Sequence, residues 1–80
     1  MPSRKERVIE RYEEAGYDLD IIHYNENLPG DHWSYTLWYW EDLQILSTKD
    51  NFKTEDELLR YLEQNYDDII EDAREQTRYA

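Results

Sequence analysis

The sequence predicts an α+β fold. An N-terminal helix is followed by a three-stranded antiparallel meander, and one long kinked or two short C-terminal helices pack with it on one sheet face. Three observations carry this. Ser3 and Thr54 each open a capping box ahead of an amphipathic helical stretch. Residues 17–24 alternate with period two. Residues 32–40 then hold all three tryptophans together with Tyr35, Thr36, Leu37 and Tyr39, types that suit a pleated, packed surface.

The elements follow in order. Ser3-Arg4-Lys5-Glu6 starts the first helix, because the Ser3 hydroxyl can accept from the Glu6 N–H. Val8, Ile9, Tyr12 and Ala15 recur at helical spacing, and Gly16 is placed to end the helix in a left-handed conformation, so it runs over about 4–15. Its four bases balance its four acids. In the first strand, Tyr17, Leu19, Ile21 and His23 point one way, toward a core. Asp18, Asp20, Ile22 and Tyr24 point the other way, toward solvent. Residues 25–31 form a loop with its tightest turn at Pro29-Gly30.

The aromatic strand, 32–40, is followed by a Glu41-Asp42 hairpin and a returning strand over 43–48. A two-residue loop pairs Trp40 with Leu43 and Trp38 with Ile45 on one face, and Tyr39 with Gln44 and Leu37 with Leu46 on the other. The face of Trp38, Trp40, Leu43 and Ile45 is the more apolar and is therefore assigned to the core; a one-residue slip would reverse the assignment. Lys49-Asp50-Asn51 reads as a loop anchored by Phe52. From Thr54 on, Leu58, Leu59, Tyr61, Leu62 and Tyr66 mark a helical face that Ile69, Ile70 and Ala73 continue almost in phase. A break or kink at Asn65-Tyr66-Asp67 is favoured, since a continuous helix of about 36 Å would overrun so small a sheet. The inventory leaves the opposite sheet face without an element to cover it.

Eighty residues make a single domain, 1–80, burying roughly 60% of the surface its unfolded chain exposes. There is no cysteine, which excludes disulfides and thiolate sites and fits a reducing cytoplasm. No apolar run approaches the roughly 20 residues of a membrane span, and the N-terminus lacks the apolar core of a signal peptide. Twenty acids against nine bases give a formal charge of −11. That argues against direct binding to nucleic acid or to an anionic membrane. Three explanations are left: solubility alone, adaptation to high salt, or a match to a basic partner. The abundant Ile and Tyr and scarce Gly and Ala speak against the second.

Two constellations are candidate partner-binding sites. The first is the acidic C-terminal segment: Asp67, Glu71 and Glu75 fall at i, i+4 and i+8, with Asp68 and Asp72 in the adjacent row. Like charges at this spacing repel by a few tenths of a kcal/mol per pair, so the pattern is not one that stability alone selects, although most surface charge runs are simply solvated. The second is the face left outside the core by the assignment above. It carries Tyr35, Leu37 and Tyr39, with Tyr24 and Ile22 on the neighbouring strand, whose Asp18 and Asp20 would add steering. Either a partner or a homodimer would cover such a face. His23 and His32 near Glu26 and Asp31 match no metal-ligand spacing, so no metal or cofactor is expected. There is no phosphate loop and no nucleophile elbow, and an enzyme is not expected.

The order helix, three strands, helices in so short a chain, with strong acidity and eight tyrosines, is similar to several small phage-encoded anti-CRISPR proteins. That resemblance covers the whole chain in outline and rests on no diagnostic motif. It implies a protein that binds a CRISPR effector in the host cytoplasm and blocks its nucleic-acid-binding surface, in some cases by imitating DNA charge. Acidic antitoxin or immunity proteins that cap basic nucleases share the same composition, and a small homodimeric adaptor remains a third reading.

Overall fold

A computed structural model describes residues 1–24 and 32–78. The elements are α1 (Arg4–Glu14), β1 (Asp18–Tyr24), β2 (His32–Tyr39), β3 (Gln44–Phe52), α2 (Glu55–Gln64) and α3 (Tyr66–Arg78), with the strands in the antiparallel order β1-β2-β3. Each helix lies over one strand: α1 on β1, α2 on β2 and α3 on β3. All three share one sheet face, because their buried residues form a single cluster that joins Val8, Tyr12, Leu58, Leu62, Ile69 and Ala73 to Leu19, Tyr35, Leu37 and Leu46. The thinnest dimension is 19 Å, which has room for two layers about 10 Å apart and no third.

Local chemistry sets each boundary. The Ser3 hydroxyl accepts from the Glu6 N–H at 3.1 Å and starts α1. Gly16, at φ +101°, stops it: the Gly16 N–H reaches the Glu13 carbonyl and the Tyr17 N–H the Tyr12 carbonyl, the paired bonds of a Schellman end. In α2 the Thr54 hydroxyl accepts from the Glu57 N–H, and the Glu57 carboxylate reaches back to the Lys53 N–H. The predicted break is at Asn65. Its N–H and side-chain amide both donate to the Tyr61 carbonyl, closing α2, while its own carbonyl accepts the Ile69 N–H that begins α3. The C-terminal segment is therefore two helices.

The core face of the sheet is opposite to the predicted one. Leu37 is fully buried and Tyr35 is 1% exposed, whereas Trp40, Leu43 and Ile45 are 58%, 71% and 61% exposed. The reason lies in the neighbouring strand. Leu19 pairs with Leu37 and Ile21 with Tyr35, so the face that β1 turns to the helices dictates the face of β2. Tyr35 tolerates burial because its hydroxyl hydrogen-bonds the Ser47 hydroxyl at 2.8 Å; desolvation pushes that phenol above its ordinary range.

The hairpin differs as well. Trp38 pairs with Ile45 and Tyr39 with Gln44 as predicted, but pairing ends there and residues 40–43 form the turn, with Leu43 at φ +57°. Leu37 pairs with Ser47 rather than Leu46, because a bulge inserts Leu46 and turns it to the core. Lys49-Asp50-Asn51, predicted as a loop, belongs to β3; a second irregularity with Asn51 at φ +70° brings Phe52 opposite Trp33 and into the core. The predicted Pro29-Gly30 turn lies outside the described residues.

One ionic network ties α1 to α2. Arg4 donates to both Glu63 oxygens, at 3.2 and 2.6 Å, and to Asp56, which also accepts from Arg60. The Arg4 guanidinium holds the carboxyls of Asp56 and Glu63 below their ordinary range. A depressed carboxyl stabilises the fold above its unfolded pKa, and that contribution is lost as pH falls through the folded value. Arg4→Gln is therefore expected to lower Tm near neutral pH by a modest amount, since the groups are half-exposed. The gap to the parent should close as pH drops below the carboxylate range. Thermal unfolding followed by circular dichroism checks this; a gap unchanged with pH would assign the effect to packing of the Arg4 stem instead.

Candidate interaction face

Among the described residues, no element lies on the second face of the sheet. Cross-strand pairing arranges it in rows: Asp18, Trp38 and Ile45; Asp20, Thr36 and Thr48; Ile22 and Ser34; Tyr24 and His32. The apolar weight is at the hairpin end, where Trp38 pairs with Ile45 and the exposed Trp40 and Leu43 stand in the adjoining turn. Tyr24 and Ile22 stand exposed toward the other end. Leu43 is unusual twice over, a large apolar side chain exposed to solvent and a non-glycine residue in a left-handed turn that Gly or Asn would occupy with less strain.

Three acids of the sheet and its hairpin turn are held by neutral donors; of these Asp20 is on this face, and Glu41 is held by Tyr39, whose ring packs on the helix side. The Trp38 indole N–H donates to Asp20 at 2.9 Å, and the Tyr39 hydroxyl donates to Glu41 at 2.8 Å. The Gln44 N–H donates to Asp42 at 3.2 Å. Each bond fixes a carboxylate without neutralising it; the Glu41 carboxylate in turn keeps the Tyr39 phenol above its ordinary pKa. Cations are elsewhere. All nine Lys and Arg fall within residues 4–11 and 49–78, and none within 12–48, where eight acids stand. Among the described residues, ion pairs of Lys or Arg with acids all join α1 and α2 or lie within α2. The rings of the helical layer have cations over them, Arg11 at 3.7 Å from Tyr66 and Lys49 at 4.4 Å from Tyr61. Trp38 and Trp40, the better cation–π acceptors, sit on the face that has none.

The predicted partner-binding residues divide into three groups. Asp18, Asp20 and Tyr24 are on the uncovered face as expected, with Asp20 and Tyr24 exposed. Tyr35 is in the core, and Tyr39 is half-buried against that same core, so the tyrosine surface proposed for β2 does not exist; Trp38, Trp40, Leu43 and Ile45 take its place. The acids Asp67, Asp68, Glu71, Asp72 and Glu75 are all exposed on α3, in the helical layer on the far side of the sheet. Their row is interrupted: Arg74 and Arg78 line the same shallow groove as Tyr66, Asp67, Ile70, Glu71 and Glu75. Asp72 accepts from Gln76, whose amide also donates to the Leu46 carbonyl and fastens α3 to β3.

Sequence reasoning missed the apolar contacts of this face, and a usable signal was present. The 37 residues without a Lys or Arg run from Tyr12 to Thr48 and contain the whole of β1, β2 and the hairpin. Among the described residues, no group of three or more His, Asp or Glu converges on a point where one metal ion could sit. His23 stacks flat on Trp33, with ring centroids 4.1 Å apart and planes within 6°. Among the described residues, no helix is long and apolar enough to cross a membrane. No protein-family model, no curated protein and no solved structure matches the chain.

Proposed function

We propose that this chain is a non-enzymatic inhibitor that binds a basic nucleic-acid-binding protein and excludes nucleic acid from it, as do the small acidic anti-CRISPR proteins it resembles. One observation carries the reading: a sheet face that no described element covers, with exposed Ile45 and the exposed turn residues Trp40 and Leu43 at its hairpin end, an Asp20 carboxylate fixed by Trp38, and no Lys or Arg. Apolar patches of this kind on small soluble proteins mark interaction sites. An unneutralised acidic setting selects a basic partner and speeds its capture through long-range attraction. The formal charge of −11 adds to that field. A CRISPR effector ribonucleoprotein and a basic nuclease both present such a surface, and in both cases the inhibitor competes with nucleic acid.

The test is competition. The chain is added to a CRISPR effector in the presence of labelled target DNA, and bound DNA is read by anisotropy. DNA release is expected, weakening by at least about tenfold when salt shortens the screening length from about 10 Å toward 3 Å. Reversal of Asp68, Glu71 and Asp72 to Lys is expected to slow association through the loss of steering. DNA that stays bound to the effector and to a basic nuclease alike at saturating chain would sink the reading.

A further inference from the structure

We infer that the uncovered face of the sheet, centred on Trp38, Trp40 and Ile45, is the contact surface itself, and that its occupant is an arginine-bearing segment of the partner. The basic character of that partner rests on the function proposed above; the choice of surface and of arginine rests on geometry.

The surface offers both halves of a guanidinium site. Trp38 is paired across the strand with Asp18, and its indole N–H holds Asp20 at 2.9 Å, so the ring has one carboxylate bound at its edge and a second acid on the facing residue. Trp40, 58% exposed, adds a second ring at the hairpin end beside Glu41 and Asp42. Guanidinium is planar and weakly hydrated, stacks on indole and can still donate in its plane to a carboxylate; ammonium is more strongly hydrated and makes one compact contact. The fold already uses this arrangement where it has cations, with Arg11 over Tyr66. On the sheet face the ring and the carboxylates are in place and the cation has to come from another molecule. Ile45 and Leu43, 61% and 71% exposed, then take the apolar side chains between the arginines.

Two other assignments fit less well. A second copy of the chain would bring a second set of acids to the interface, with no Lys or Arg on either face to compensate them. The α3 row, on the far side of the sheet, carries Arg74 and Arg78 among its acids and so repels part of what it attracts.

The experiment is a nuclear magnetic resonance titration of the full ¹⁵N-labelled chain with a short peptide of alternating Arg and Leu, and with Lys/Leu and Glu/Leu counterparts. The indole N–H signals of Trp38 and Trp40 are expected to shift with the Arg/Leu peptide, less with Lys/Leu and not with Glu/Leu, while that of Trp33, on the helix side, stays in place. Trp40→Ala with Asp20→Asn is expected to weaken Arg/Leu binding about tenfold or more. Both positions are exposed, and an unmoved Trp33 signal reports an intact fold. Glu71→Gln with Asp72→Asn is expected to change it less than about twofold. Shifts confined to α3, equal binding of Glu/Leu, or Trp40 signals that move with protein concentration alone, as in self-association, would each overturn the inference. Binding of the peptide on this face, without release of DNA from the effector or the nuclease, would uphold the surface and remove the inhibitor reading alone.

Discussion

Leu37→Ala is expected to lower the unfolding free energy by about 2–5 kcal/mol, and Ile45→Ala, in the next row of the same hairpin, by less than about 1 kcal/mol. Leu37 is fully buried in the cluster shared by the helices and the sheet, and truncating it leaves a cavity in that core. Ile45 is 61% exposed and loses little more than its preference for a strand. A domain of this size has roughly 4–12 kcal/mol of stability in total, so the first substitution brings the chain near its threshold and the second is barely visible. Urea unfolding at matched slope measures both. Comparable losses at the two positions would mean that the faces of β2 are not divided as described. The contrast also has a functional side: a residue that can be truncated without loss of stability is free to be selected for contact.

How much of this was legible in the sequence follows from the range of each interaction. Helix starts and stops depend on residues three or four apart, and Ser3, Gly16 and Thr54 announce them without help from the rest of the chain. The break at Asn65 was favoured on a length argument; its means, a side-chain amide closing one helix while the backbone carbonyl opens the next, is again local. The choice of sheet face is not local. Residues 32–40 are large on both sides, so their own pattern carries almost no preference, and apolar count favoured the tryptophan side. The deciding fact is the register that sets Leu19 against Leu37, a pairing between strands that the pattern within β2 does not contain. Two bulges in β3 then moved Leu46 to the core and drew residues 49–51 into the strand, and a bulge has no reliable sequence signature. The uncovered face itself was deducible, since an inventory of elements counts layers. What covers it is a matter of chemistry, and there the absence of Lys and Arg over residues 12–48 was the readable clue.

The same division separates the aromatic residues by role. Tyr12, Tyr17 and Tyr35 are buried, the Tyr12 and Tyr35 hydroxyls satisfied within the protein. Trp40 and Tyr24 are exposed. Tyrosine suits a small core because its ring supplies area and its hydroxyl can end at a carbonyl or a serine. A chain of 80 residues without disulfide or metal relies on such contacts, having few fully apolar residues to spare.

Tyr12 is the sharpest case. It is 1% exposed, its ring meets Tyr66 edge-on at 5.0 Å, and its hydroxyl donates to the Leu62 carbonyl at 2.7 Å near the end of α2. One side chain on α1 thus packs on α3 and hydrogen-bonds α2. Tyr12→Ala is expected to cost about 3–5 kcal/mol, as for other buried rings. Tyr12→Phe keeps the packing and strands the Leu62 carbonyl, for about 1–3 kcal/mol. The phenol also makes the parent's stability depend on alkaline pH. Burial holds the Tyr12 phenol protonated well above its ordinary value of about 10, so the folded state keeps a proton that the unfolded chain gives up. The sign follows: stability is intact below about pH 10 and falls as pH rises from there toward the folded value, by about 1.4 kcal/mol per pH unit for one such group. Tyr12→Phe removes that dependence. Its deficit relative to the parent should shrink as alkaline pH destabilises the parent more steeply, with Tyr35 left as a common background in both proteins. Urea midpoints from pH about 8 to 11 measure the difference in slope; parallel lines would show that Tyr12 ionises alike in the folded and unfolded chain, and that its hydroxyl is not held at Leu62.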